Sequence, residues 1–80
     1  MTRLTVLWFA SLRDARGVAR EAVETDACDL RGLYAQLQAR HGLALPPERL
    51  RVAVGDAFAR WDDAPREGSE VAFIPPVSGG

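Results

Sequence analysis

The two most apolar segments of this 80-residue chain lie at its opposite ends, and this placement constrains the fold more than any other feature. Residues 2–10 and 71–74 are rich in β-branched and aromatic side chains, which favour β-strands. Strands that are this apolar are typically buried on both faces in the middle of a sheet. We therefore expect the first and last strands to be parallel neighbours at the centre of one sheet.

The segment between these ends predicts a hairpin-like unit followed by one main helix. Residues 11–17 are polar and end in glycine, so we expect a turn that can include a short helical piece. Residues 18–25 are predicted to form a second strand, antiparallel to the first. Asp29 is a favourable N-cap for a helix over residues 30–41, and Gly42 is a favourable left-handed terminator.

The second half of the chain predicts further strands and no second long helix. Residues 43–49 contain a Pro-Pro pair and are expected to be a loop, residues 50–54 a third strand, and residues 57–60 a short return strand after a Gly-Asp turn. Strand-strand-helix-strand-strand in one small domain predicts an α+β fold. The arrangement is the β-grasp: a mixed four- to five-stranded sheet packed on one main helix.

The composition excludes several classes of function. An apolar content of 48% and a net charge of −1, without a basic stripe, predict no nucleic-acid partner. No apolar run is long enough to span a bilayer, so we expect a cytoplasmic protein with no membrane contact. Cys28 is the only cysteine, and no histidine, cysteine and acidic cluster has ligand spacing, so no metal site is predicted.

The last six residues, 75–80, are predicted to leave the sheet as an extended segment. Pro75 and Pro76 fix φ and cannot donate to a strand ladder, so pairing is expected to stop at Ile74. An extended segment of this length reaches roughly 20 Å. We therefore predict a folded domain over residues 1–74 and a flexible tail over residues 75–80.

The sequence finishes with Gly79 and Gly80, which would make a free diglycine tail. Backbone without side chains can thread a narrow tunnel in a partner and present its carboxylate there. A carboxylate is inert until it is activated, generally by ATP-dependent adenylation in a partner enzyme, after which a sulfur donor, an amine or a thiol can attack. The alternative for these residues is a frayed chain end.

A second prediction concerns the outer face of the sheet. If Thr5 faces solvent, the period of two places Leu7 and Phe9 on the same outer face, and Ile74 joins them from the last strand. Clustered apolar residues beside the predicted tail indicate a partner interface. The alternative is that a loop covers this face, with Trp61 as the covering side chain.

Two segments resemble a known family. Residues 6–13, Val-Leu-Trp-Phe-Ala-Ser-Leu-Arg, resemble the first strand and turn of the small subunits of molybdopterin synthases. Residues 52–80 are similar to the C-terminal half of that family, most closely at residues 68–80, Gly-Ser-Glu-Val-Ala-Phe-Ile-Pro-Pro-Val-Ser-Gly-Gly. One departure is Gly55, where relatives often carry asparagine; both residues tolerate a positive φ.

The resemblance implies a β-grasp sulfur carrier that binds no cofactor and is not catalytic alone. A separate activating enzyme would use ATP to adenylate Gly80, and the adenylate would become a thiocarboxylate. The tail would enter the large subunit, in a heterotetramer, where the sulfur passes to cyclic pyranopterin monophosphate to build the dithiolene of molybdopterin. The implied site consists of the reacting glycines, the inserted tail and the partner interface: Gly79 and Gly80; Pro75, Pro76, Val77 and Ser78; Leu7, Phe9, Arg13 and Ile74.

Two other interpretations stay open at this point. The chain could be a sulfur carrier for thiamine synthesis or tRNA thiolation, or a ubiquitin-like protein modifier, since these share the fold and the final glycines. It could also be a β-grasp interaction module whose tail has no chemical role. The ending over residues 73–80 favours the molybdopterin synthase family over the thiamine carriers.

Overall fold

The computed structural model describes residues 1–76 of the chain. The elements follow one another in this order: β1 (Thr2–Trp8), α1 (Ala10–Arg16), β2 (Arg20–Thr25), α2 (Leu30–His41), a 3-10 turn (Pro47–Arg49), β3 (Arg51–Val54), β4 (Ala57–Phe58) and β5 (Glu70–Ile74).

The five strands form one mixed sheet in the order β2-β1-β5-β3-β4. The central pair, β1 and β5, is parallel, with Thr5 opposite Glu70 and Trp8 opposite Phe73. The remaining pairs are antiparallel. The predicted parallel pairing of the two chain ends is confirmed, and so is the β-grasp fold, because α2 covers one face of this sheet.

The first strand is shorter than the sequence predicts. The expectation that it extends to residue 10 is wrong, because β1 ends at Trp8 and Ala10 adopts a left-handed φ of 52°. The chain then forms the seven-residue helix α1, where a turn with at most a short helical piece is predicted. Buried Leu12 fixes α1 against the core, and tertiary packing therefore stabilises a helix that is too short to form alone.

The main helix α2 has the predicted bounds. The Asp29 side chain accepts a hydrogen bond from the Gly32 amide at 2.7 Å, and Gly42 ends the helix with a φ of 65°. A Cβ at Gly32 would lie 3.1 Å from Asp29 Oδ1, which explains a glycine in the first turn. The amides of Leu30 and Arg31 donate to carbonyl oxygens of residues 63 and 61, so the loop before β5 is tied to α2.

The core lies between the sheet and the two helices. Four aromatic side chains form its centre, and we call them the inner aromatic cluster: Trp8, Tyr34, Trp61 and Phe73. The Tyr34 hydroxyl donates to the Leu45 carbonyl at 2.7 Å, and burial raises the pKa of this phenol. Trp61, which the sequence places in a turn, stacks on Phe73 with ring centroids 5.9 Å apart.

Candidate functional site

The outer face of the sheet has no helix on it within residues 1–76, and its side chains follow from the strand register. Leu7 is opposite Ala72, and Ala53 is opposite both Ala72 and Phe58. Directly paired residues point to the same face of a sheet. One face therefore carries side chains from four neighbouring strands at the same level, beside the point where β1 and β5 end.

These side chains form a continuous apolar surface that we call the docking patch: Leu7, Phe9, Ala53, Phe58, Ala72 and Ile74. They line a shallow groove of about 260 Å³ together with residues 55–57. Phe58 is 69% exposed and Phe9 is 43% exposed, whereas Ala72 lies at the floor of the groove and is buried. A soluble domain rarely leaves clustered large apolar side chains in water unless they bind a partner.

The other half of the same face is polar. Arg20 on β2 forms an ion pair with Glu70 on β5 across β1, with a nitrogen to oxygen distance of 2.7 Å. Arg3 and Glu24 are 3.6 Å apart near the start of β1. The apolar surface is therefore confined to the end of the sheet at which β5 finishes.

The alternative that Trp61 covers this face is wrong. Trp61 lies on the opposite side of the sheet, stacked on Phe73 and edge-on to Tyr34. The Arg31 guanidinium lies 5.8 Å from the centre of its ring. Trp61 therefore belongs to the helix-side core and leaves the docking patch open.

A second groove, of about 350 Å³, adjoins the docking patch where the chain leaves β5, and we call it the tail-root groove. It shares Phe58 and Ile74 with the docking patch. Pro75 is buried and Pro76 is exposed, and both line this groove. Its remaining lining residues come from the turn before β3 and from β3 itself: Glu48, Arg49, Leu50 and Arg51.

The structure brings together three of the four predicted interface residues. Leu7, Phe9 and Ile74 line one groove. Arg13 is exposed on α1 and does not line that groove. The predicted tail residues Val77 and Ser78 and the reacting residues Gly79 and Gly80 lie outside the described residues.

Sequence reasoning missed Phe58, which is the most exposed aromatic side chain of the described chain. The sequence pattern that could have predicted its exposure is the short return strand after the Gly-Asp turn. Pairing Phe58 with Ala53 in a hairpin places its ring on the outer face, next to a residue whose small side chain cannot cover it. The Arg51 guanidinium lies 5.6 Å from the centre of this ring.

The residues that are described contain no cluster of three or more potential metal ligands. None of the helices that the structure describes is both long enough and apolar enough to cross a bilayer. The geometry thus defines a small β-grasp domain with an exposed apolar surface next to the point where its C-terminal segment leaves the sheet.

Comparison with known proteins places this domain in a family. The ThiS family model matches residues 6–80. The molybdopterin synthase sulfur carrier subunit of Haemophilus influenzae is 38% identical over 80 residues, which cover 96% of this chain and 99% of the relative. The chain belongs to the ThiS family, and its curated relatives are molybdopterin synthase sulfur carrier subunits.

Solved structures agree on the fold. A protein described as molybdopterin converting factor subunit 1 of Pyrococcus furiosus has a TM-score of 0.78 at 24% identity, covering 96% of this chain and all of that one. A chain from a complex of subunits 1 and 2 of the molybdopterin-converting factor of Helicobacter pylori has a TM-score of 0.69 at 24% identity, covering 99% of this chain and all of that one. These similarities establish the ubiquitin-like β-grasp architecture of the chain.

Proposed function

We propose that this chain is the sulfur carrier subunit of a molybdopterin synthase. The observation that carries the proposal is the position of the docking patch directly beside the end of β5, from which the Pro75-Pro76 segment leaves the sheet. A partner that covers Leu7, Phe9 and Phe58 would lie next to the end of β5, so residues 77–80 could enter the interior of that partner. The names of the curated relatives, molybdopterin synthase sulfur carrier subunits, support the same function.

The chemistry in this proposal takes place at the carboxylate of Gly80. A separate adenylating enzyme uses ATP to convert the carboxylate into an acyl-adenylate. Hydrosulfide, or a donor that releases it, then attacks the carbonyl carbon. AMP leaves with the bridging oxygen, a proton is lost, and the residue becomes a thiocarboxylate. Gly79 and Gly80 add no side chain to the segment, so the reacting carbonyl stays unhindered.

The second partner in the proposal is the large subunit, in a heterotetramer. The tail, with Val77 and Ser78 between the prolines and the glycines, enters the large subunit. There each thiocarboxylate passes its one sulfur to cyclic pyranopterin monophosphate and returns to a carboxylate with an oxygen from water. Two loaded carriers therefore build the dithiolene of molybdopterin. The carrier itself holds no cofactor. The Helicobacter pylori neighbour supports this pairing, since it is described as a complex of subunits 1 and 2 of the molybdopterin-converting factor.

Two tail variants test the proposal. Deleting Gly80 stops the carboxylate about 3.5 Å short of the activating site. A displacement of this size can lower the rate on the order of a hundredfold, because catalysis depends on the attack geometry. Gly79→Val keeps the length but places a β-branched side chain in a channel sized for backbone. Both variants should be loaded poorly by the activating enzyme of the same organism.

The assay measures thiocarboxylate formation and denaturant-induced unfolding on the same samples. We expect the free energy of unfolding to stay within about 0.5 kcal/mol of the parent for both variants, as for surface changes generally. Loading of the Gly80 deletion at the parental rate would refute the carrier proposal. Loss of loading together with loss of folding would instead assign the tail a structural role.

Measurements of turnover test separately whether the reaction requires the large subunit. The purified chain alone should convert no pterin, because the described residues form no enclosed catalytic site. As a previously prepared thiocarboxylate mixed with the large subunit, it should convert the precursor only stoichiometrically. Multiple turnover by this chain alone would move the chemistry out of the tail.

A further inference from the structure

One side chain lies at the boundary between the two grooves. Arg51 stands on the outer face of β3, opposite Ile74 of β5, and its guanidinium lies 5.6 Å from the centre of the Phe58 ring. Arg51 and Phe58 line the tail-root groove, and Phe58 also lines the docking patch. The stacked pair therefore forms the ridge that separates the docking patch from the tail-root groove.

The charge on this ridge has no partner within the described chain. Among residues 1–76, no carboxylate oxygen lies within 4 Å of the Arg51 guanidinium. Five other arginines of these residues also lack an ion pair, and of the six only Arg31 and Arg51 lie over an aromatic ring. Stacking on an aromatic ring holds a guanidinium in place while its N–H groups stay available as donors. Arg51 is therefore a preorganised cation at the rim of an apolar interface.

We propose that Arg51 is a specificity-determining residue that binds a carboxylate on the protein partner covering the docking patch. This inference rests on the proposed function and assigns an acidic residue to the large subunit where its surface crosses the ridge. Arg49, exposed in the same groove, adds a second positive charge near the contact. The partner surface would thus be apolar opposite Phe9 and Phe58 and acidic opposite Arg51.

The charges around the two grooves favour this partner over two other kinds of partner. A second copy of the chain, related by a two-fold axis through the docking patch, would bring one Arg51 near the other, and like charges at an interface are disfavoured. A nucleic acid needs a cluster of positive charges, but Glu48 and Asp56 line the same two grooves and the net charge is −1. A protein surface that is apolar apart from one carboxylate would complement both the Arg51 guanidinium and the apolar side chains of the docking patch.

The test is the affinity of the full-length chain for the large subunit from the same organism, measured by titration calorimetry at low and high salt. Arg51→Glu should weaken binding roughly tenfold at low salt, because a rim ion pair is replaced by two like charges. The difference should shrink in about 0.5 M salt, where exposed charges are screened over a few ångströms. Arg51→Lys keeps the charge but loses the planar guanidinium that stacks on Phe58, so its affinity should fall between those of the parent and Arg51→Glu.

Arg40→Glu is the matched control. It makes the same change in charge at an exposed position of α2, on the other layer of the domain, and should change the affinity less than about twofold. Thermal unfolding of each variant shows whether it is folded. Should Arg51→Glu be unstable, the neutral Arg51→Gln replaces it, with an expected weakening of about threefold.

The results separate this inference from the proposed function. If the parent binds the large subunit and Arg51→Glu binds as tightly as Arg40→Glu at low salt, the inference is wrong and the proposed function stands. Failure of the parent itself to bind would overturn both. Binding of a mixed-sequence single-stranded DNA that is lost in Arg51→Glu would also overturn the inference, since the cation would then serve a phosphate backbone.

Discussion

Consecutive residues at the ends of β1 and β5 lie on opposite faces of the sheet and have opposite roles. Trp8 and Phe73 are at most 1% exposed and belong to the inner aromatic cluster. Phe9 and Ile74 follow them directly in the sequence and line the docking patch. Side chains of similar chemistry thus stabilise the fold on one face and remain available to a partner on the other.

The difference lies in what the chain itself provides to cover each face. On the inner face, α2 and the loop that contains Trp61 surround Phe73, and hydrogen bonds from the first amides of α2 hold that loop in place. On the outer face, none of the described elements covers Phe9 or Phe58. Burial within the domain contributes to folding, whereas burial by another protein contributes to association.

The largest expected effect is on the inner face. Phe73→Ala should lower the free energy of unfolding by about 3–5 kcal/mol, because it removes a fully buried ring and leaves a cavity among three other aromatic side chains. Denaturant titration of the parent and the variant measures the loss. A loss below about 1 kcal/mol would show that the inner aromatic cluster does not form the core.

On the outer face, Phe9→Asp should abolish association with the large subunit while changing stability little. The charge would have to enter the apolar interface without a partner, which we expect to weaken binding by at least about a hundredfold. Phe9 is the N-cap of α1. Because aspartate is a favourable N-cap residue, the substitution should not lower the stability of this helix. Calorimetric binding and thermal unfolding of the same sample are compared. A large loss of stability would mean that Phe9 belongs to the core.

Phe58→Ser is expected to act in the same direction but less strongly, weakening association roughly tenfold. The ring is 69% exposed on the two-residue strand β4, so its removal should change the free energy of unfolding by less than about 0.5 kcal/mol. The same calorimetric titration measures the effect. Unchanged affinity would place the partner on the Phe9 side of the docking patch only.

The smallest expected effect is a change in the free energy of unfolding at Ala10, which lies between β1 and α1. Ala10 has a φ of 52°, a left-handed conformation that glycine adopts without strain. Ala10→Gly should therefore raise the free energy of unfolding by about 0.5–1 kcal/mol, even though glycine increases the entropy of the unfolded chain. Denaturant titration gives the change. A loss of stability would mean that the positive φ is not maintained in solution.

The sequence predicted the parts of the fold that depend on pattern alone. Apolar content and the period of two gave the parallel central pair and the inward direction of Trp8, and capping residues gave both ends of α2. The fold of residues 10–16 depends on tertiary packing, because buried Leu12 stabilises a helix whose first residue is strained. Local propensity therefore could not separate α1 from a turn.

The part of the candidate site that depends on strand alternation could be predicted from the sequence, whereas the part that depends on long-range contacts could not. Leu7, Phe9 and Ile74 follow from strand alternation, which needs only the register of β1 and β5. To predict the position of Phe58, the register of a third and a fourth strand would have to be known. To predict the position of Trp61, the path of a long loop over the core would have to be known. Both depend on contacts between residues far apart in the sequence, which periodicity does not contain.

The carboxylate of Gly80 is proposed to carry sulfur, and the mass of the intact protein tests this proposal most directly. Protein purified from its own host should contain a fraction whose mass gain equals one oxygen replaced by sulfur. Alkylation should add one group at the exposed Cys28 thiol to all of the protein and a second group to that fraction alone, and fragmentation should place the second group on Gly80. Protein that shows no such fraction, even after incubation with the activating enzyme, ATP and a sulfur donor, would contradict the claim.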